Sequence, residues 1–178
     1  MVETQRLHII PLTIEHLERY LLGDGKFEKE FNLTNTQRMV SPEVRERVLQ
    51  NIIPQLKRVS ENKYVFYTFW IVVDKSKKMI VAELGFKGEP SELGEVEIGY
   101  GTLHQHRGKH YMTEAVGGMI TWARQHPLIK YVLAETHENN LASIKVLQKN
   151  NFEPFAQKEN MKWWKIFTGT LEDMAPNP

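Results

Sequence analysis

Residues 105–115 read QHRGKHYMTEA, so that His106, Arg107, Lys109 and His110 surround Gly108 just before a stretch with helical spacing of apolar residues. A strand ending near Thr102, a glycine turn and a helix beginning near Met112 together make an anion site. The first backbone N–H groups of a helix lack intrahelical acceptors and carry its partial positive charge, and a glycine lets the chain approach a ligand closely. The matching chemistry is recognition of a phosphate or pyrophosphate. Neither the P-loop pattern nor the three-glycine dinucleotide fingerprint is present. Taken alone, the stretch also reads as a tight turn with solvated cations.

His104, His106 and His110 have spacings open to metal ligation. No carboxylate at ligand spacing and no cysteine accompanies them, and Arg107 and Lys109 between them repel a cation, so no metal is expected.

The elements that must hold this turn follow from the rest of the chain. At 178 residues it fits one domain, long enough to bury roughly 70% of the surface its unfolded form exposes. Residues 1–172 are expected to form that domain, and 173–178 a flexible tail. A formal charge of +1 offers too few phosphate contacts for nucleic-acid binding. The absence of cysteine excludes disulfides, thiolate zinc sites and cysteinyl intermediates. The N-terminus carries Glu3 and Arg6 and breaks at Pro11, unlike a signal peptide. The longest apolar run, VFYTFWIVV, is about half the roughly 20 residues a membrane span needs. A soluble, cytoplasmic protein with no membrane partner is the expectation, as monomer or homodimer.

RLHIIPL reads as a strand, followed by a helix capped by Thr13 and running to Leu22. Ser41 and Pro42 begin a second helix whose apolar stripe passes Pro54, predicting a kink or two short helices. FYTFWIVVD, MIVAELGF and EVEIGYGT read as an antiparallel meander. A helix from Met112, the strand YVLAETHE, a helix over NLASIKVLQKN and the pair FEPFAQK and MKWWKIFTGTL complete the chain. The predicted class is α+β, a mixed sandwich with helices on both faces of the sheet.

QHRGKH resembles the Q/R-x-x-G-x-G/A signature of the GNAT superfamily of N-acetyltransferases. EIGYGTLHQHRGKHYMTEA is similar to the corresponding stretch of its ribosomal-protein alanine acetyltransferase (Rim-type) branch. Downstream, ETHENNLASIKVLQKNNF resembles that branch's N-x-x-S-x-x-x-L-x-K-x-G-F segment at Asn140, Ser143, Leu147, Lys149 and Phe152, and ETQRLHIIPLTIEHLERYL resembles its first strand and helix. Two positions depart: His110 stands in place of the signature's last Gly/Ala, and Asn151, a residue tolerant of left-handed geometry, in place of glycine.

The resemblance implies the GNAT fold, a central, mostly antiparallel, splayed sheet of about seven strands, and transfer of acetyl from acetyl-coenzyme A to a primary amine, of a protein N-terminus or a small molecule. It further implies a pyrophosphate grip by backbone amides from Arg107 to Met112, with the pantetheine arm beside EVEIGYGT. The cofactor-binding residues it suggests are Tyr100, Gly101, Thr102, Gln105, Arg107, Gly108, Lys109, His110, Tyr111, Met112, Asn140 and Ser143. Gly99 and Gly101 fit a bulge or a close backbone approach there, the source of an oxyanion donor.

An ammonium acceptor must lose a proton, and a carboxylate suits that task. Strand alternation puts Glu97 on the face of Gly99, making it the first choice of base, ahead of Glu135 and His137, then Glu83. The tyrosine that many family members carry on the last helix is Leu147 here, and the resemblance to the alanine acetyltransferase branch implies Ser143 as donor to the departing thiolate; a serine in a first helical turn also serves the backbone. Trp163 and Trp164 alternate on a strand, one facing in and one half-exposed, with the acceptor cleft as an alternative place for either. The kinked region from Gly23 to Asn62 is expected to wall that cleft. A noncatalytic acyl-coenzyme A-binding module of the same fold is the alternative function.

Overall fold

A computed structural model of the chain describes residues 1–35 and 39–169. The expected tail at 173–178 and the domain limit at 172 lie outside the described residues. The strands are Val2–Glu3 (β1), Leu7–Pro11 (β2), Trp70–Asp74 (β3), Met79–Phe86 (β4), Glu95–Thr102 (β5), Tyr131–His137 (β6), Glu153–Lys158 (β7) and Met161–Phe167 (β8). They form one 8-stranded sheet in the order β1-β2-β3-β4-β5-β6-β8-β7. β5 and β6 pair parallel; the other neighbours pair antiparallel.

Helices Ile14–Leu22 (α1), Lys26–Glu30 (α2), Pro42–Arg47 (α3) and Ile53–Leu56 (α4) cover one face. Leu17, Tyr20, Phe27, Val48 and Leu56 pack there against Ile71, Val73 and Ile80. Tyr111–Arg124 (α5) and Leu141–Lys149 (α6) cover the other, where Met112, Val116, Met119 and Leu147 meet Ile9, Val72, Leu84, Val96 and Trp164. The mixed α/β class with helices on both faces is thus as expected.

Local signals set most boundaries. Thr13 accepts the backbone N–H of His16, which bonds back to close a capping box, and α1 ends at left-handed Gly23. Ser41 caps α3 with Pro42 at its start. The kink expected near Pro54 is a π-helical turn, Val48–Ile52, that hands over to α4, whose first turn holds Pro54 where no N–H is required. α6 ends with Asn151 at φ 60, and the N–H groups of Asn151 and Phe152 donate to the carbonyls of Gln148 and Leu147. Asparagine performs the turn otherwise given to glycine.

Two details differ from expectation. The sheet has eight strands rather than about seven, because Val2 and Glu3 pair with Ile9 and His8. Residues 66–69 are not strand; Tyr64–Phe66 is a 3-10 turn, and β3 begins at Trp70. There the Trp70 indole donates to the Val65 carbonyl at 3.0 Å, and the Thr68 carbonyl lies where a Cβ on Gly85 would come within 2.9 Å of it.

Candidate active site

β5 and β6 pair only from Glu95↔Tyr131 to Glu97↔Leu133, whereas β6 stays paired with β8 as far as His137↔Met161. Beyond Glu97 the sheet is therefore split. β5 continues against β4 in regular register through Gly99 and Gly101, so of the bulge or close backbone approach expected there the bulge is absent, and the gap lies where β5 and β6 diverge. The bonds Lys87 N–H to Glu97 O and Leu103 N–H to Val81 O fix the ladder phase. The N–H and C=O groups of Gly99 and Gly101 then point to β4, and those of Tyr100 point into the split.

Two clefts adjoin there. The first, about 660 Å³, lies against α5 and α6 and is lined by Tyr100, Gly101, Thr102, Arg107, Gly108, His110, Tyr111, Met112, Asn140 and Ser143. These are the suggested cofactor residues except Gln105 and Lys109, which do not line it; the Lys109 ammonium instead donates to the Gln105 carbonyl at 3.1 Å. The cleft adds Lys145 and Lys149, which no sequence motif assigned to binding although they lie four apart on one row of α6.

At the start of α5 no side chain caps the helix, and the first intrahelical bond runs from Glu114 N–H to the His110 carbonyl. The N–H groups of Tyr111, Met112 and Thr113 are thus left to a ligand, and all three residues line the cleft. Gly108 sits at φ 76 with nothing within 4 Å of a would-be Cβ. Arg107, Lys145 and Lys149 form no ion pair among the described residues. An uncapped helix start with unpaired cations around it fits the phosphates of a coenzyme A thioester.

His110 adopts φ 60, ψ 15 and makes no capping bond. A left-handed residue other than glycine costs roughly 1–2 kcal/mol, offset by roughly 0.5–1 for glycine's greater unfolded freedom. His110→Gly is expected to stabilise the protein by up to about 1 kcal/mol in chemical denaturation; a loss of stability would show that the imidazole makes compensating contacts.

Of the histidines, His104 and His110 are exposed and His106 is buried edge-on to Tyr111, ring centroids 6.2 Å apart. Burial, with Lys109 and Lys77 nearby, keeps the His106 pKa below its ordinary value against the opposing pull of Asp74. Among the described residues no group of His, Asp or Glu is placed to hold a metal ion.

The helix start is held by residues distant in sequence. The Tyr111 hydroxyl donates to Asp74 Oδ2 at 2.6 Å, and Lys77 Nζ donates to the same hydroxyl at 3.0 Å. Burial pushes the Asp74 pKa up, but the bonds from Tyr111, Ser76 and the Lys77 N–H outweigh it and leave the pKa lowered to about 2. On the other side Glu114 accepts from Thr4, from the Arg6 N–H and from the Arg6 guanidinium at 2.6–2.7 Å. Sequence reasoning missed Asp74, Arg6 and Glu114 because no local pattern links residues 37 and 108 positions apart.

The second cleft, about 440 Å³, lies on the α1–α4 side and is lined by Arg47, Asn51, Gln55, Tyr67, Thr68, Glu83, Gly85, Lys87, Gly99, Tyr100 and Gly101. The kinked helical region does form its wall. Glu83 is the carboxylate in it, opposite Gly101 in register and hydrogen-bonded by the Tyr20 hydroxyl. Glu97, the first choice from the sequence, does not line either cleft: its carboxylate pairs with Lys87, whose Nζ also lies 3.7 Å from Glu135. The alternation that put Glu97 on the face of Gly99 is correct, but Glu97 stands where β5 and β6 are still paired, short of the split. Glu135 and His137 likewise lie outside both clefts, as do Trp163, half-buried, and Trp164, buried with its indole donating to Thr136 at 3.0 Å.

Ser143 lines the cofactor-side cleft; its N–H donates to the Asn140 side chain at 3.2 Å, so its backbone serves the helix cap as a first-turn position does. Leu147 is fully buried.

Two clefts meeting through a gap in one sheet suit passage of a group from a phosphate-bearing donor to a second substrate, and that defines the class, a transferase. The Acetyltransferase (GNAT) domain model matches residues 6–153, so the chain belongs to that family and is an N-acetyltransferase. A Bacillus subtilis (strain 168) protein named as an uncharacterized N-acetyltransferase, YjdG, is 30% identical over 170 residues, which cover 94% of this chain and 98% of the relative. Rim-type enzymes are among the structural neighbours. The ribosomal-protein-S5-alanine acetyltransferase from Vibrio fischeri superposes with a TM-score of 0.64 at 17% identity, over 93% of this chain and 95% of its own. RimL, a ribosomal-protein alpha-N-acetyltransferase in complex with coenzyme A, gives 0.63 at 15% identity, over 92% and 95%. No described helix is long and apolar enough to cross a membrane.

Proposed function

We propose that this chain transfers the acetyl group of acetyl-coenzyme A directly to a primary amine, of a protein N-terminus or a small molecule, presented in the cleft walled by α3 and α4. The observation that carries this reading is the meeting of the two clefts at Tyr100 and Gly101, with an uncapped helix start in one and a carboxylate in the other. Acetyl-coenzyme A, when bound, would supply the acetyl thioester.

The N–H groups at the start of α5, with Arg107, Lys145 and Lys149, hold the phosphates. The unpaired Tyr100 backbone groups bind along the split, and the Tyr100 N–H is the donor to the developing oxyanion. Asn140 and Ser143 line the same path. Glu83, held by Tyr20, takes the proton from the incoming ammonium. Glu97 orders Lys87 at the margin.

The test is calorimetric titration with acetyl-coenzyme A, using ATP and dephospho-coenzyme A as controls, followed by thiol release with a panel of peptides and small amines. Micromolar affinity, about −8 kcal/mol, and amine-dependent thiol release are expected. Tight binding with no transfer to any amine would leave a noncatalytic acyl-coenzyme A-binding module; no binding by the folded protein would remove the acetyl-coenzyme A reading.

A further inference from the structure

Tyr100 and Gly101 are the residues common to the linings of the two clefts. On the acetyl-transfer reading above, the bond is exchanged beside them, and since Gly101 has no side chain, Tyr100 is the one of the two that can offer a side-chain donor. Its hydroxyl crosses from β5 to α6 and donates to the Ser143 carbonyl at 3.3 Å. That is long for an O–H···O bond, whose usual length is about 2.7–2.8 Å, so the contact is weak and readily exchanged. Ser143 lines the cofactor-side cleft and not the acceptor cleft, which places the phenol on the side from which the sulfur arrives. Leu147 is an alkyl group sealed in the core and offers no donor from α6.

We propose that Tyr100 Oη is a catalytic hydrogen-bond donor to the departing thiolate, exchanging the Ser143 carbonyl for the sulfur as the C–S bond breaks. Glu83 takes one proton from the ammonium, the neutral amine nitrogen forms the C–N bond, the C–S electron pair goes to sulfur, and the nitrogen's second proton passes to water as the amide forms. Burial pushes the Tyr100 pKa up to about 12, so the phenol stays protonated throughout the neutral range. A thiol titrates near 8.5, so full proton transfer from the phenol would run uphill. The role is therefore donation; the released thiolate takes its proton from water.

The experiment uses Tyr100→Phe, which removes one weak hydrogen bond, with its melting curve as the check on folding. A hydrogen bond to a charged group accounts for roughly 10- to 100-fold, so kcat is expected to fall by that factor while KM for acetyl-coenzyme A stays within about twofold. The second readout needs no acceptor. The thiol of bound coenzyme A, followed by thiolate absorbance, is expected to titrate roughly 1–2 pH units higher in the variant than in the parent protein. A variant retaining kcat within about threefold, or one whose bound thiol titrates as in the parent, overturns the assignment. If the parent protein acetylates no amine, the proposed function fails while the thiol titration still decides the role of Tyr100.

Discussion

Replacing Glu83 with glutamine is expected to lower kcat at neutral pH by roughly 100-fold or more, the usual range for loss of a positioned general base. The change is nearly isosteric, and the Tyr20 hydroxyl retains an oxygen to bond, so the fold should survive. Glu83 lines the cleft proposed for the acceptor and not the one proposed for the cofactor; KM for acetyl-coenzyme A should accordingly move by no more than about twofold. The defect has a pH signature. An α-amino acceptor titrates near 8, so as pH rises above that value more acceptor arrives already neutral and the gap between variant and parent should narrow. A Glu97→Gln variant makes the comparison, because that carboxylate pairs with Lys87 outside both clefts and should affect turnover much less. Near-full turnover in Glu83→Gln at neutral pH would remove Glu83 as the base, and a larger loss in Glu97→Gln would restore Glu97.

The second large effect is on stability. Asp74 is 4% exposed, and its pKa falls from an ordinary 3.8 to about 2. A carboxylate lowered in the folded state stabilises the fold above its unfolded pKa, and that contribution is lost as pH falls through the folded one. Asp74 thus contributes roughly 2–3 kcal/mol at neutral pH, lost between about pH 4 and pH 2. Asp74→Asn is expected to cost about 2–3 kcal/mol, or roughly 5–10 °C in Tm for a chain of this length, and to flatten the acid limb of the stability curve over that window. Because Asp74 holds the Tyr111 hydroxyl at the start of α5, affinity for acetyl-coenzyme A should fall too. Denaturant titrations at pH 7 and pH 3 check the sign: a variant within about 0.5 kcal/mol of the parent at pH 7 would show that the buried carboxylate is not a net stabiliser.

The turn proposed to bind phosphate is legible in the amino-acid sequence because its properties are local. Left-handed geometry at Gly108 and Asn151, an uncapped helix beginning after His110 and the caps at Thr13 and Ser41 depend on neighbours a few residues away. The carboxylate is not legible on the same grounds. Glu83 and Glu97 both alternate onto the face of Gly101, and the periodicity of a strand cannot tell which one stands beside a gap. That depends on where β5 stops pairing with β6, a strand far away in the chain.

By itself, then, the sequence determined most of the strands and helices, the glycine-bearing, uncapped entrance to α5 and the family resemblance, since dihedral preference, capping and motif spacing are encoded within short windows. The tertiary structure alone decided that Glu97 stands outside both clefts and pairs with Lys87, that Asp74 and Arg6 brace α5 from 37 and 108 residues away, and that Tyr100 touches both clefts. Those outcomes rest on Coulombic pairing, desolvation and strand divergence between segments distant in the chain, and such interactions take effect only when folding brings the partners together.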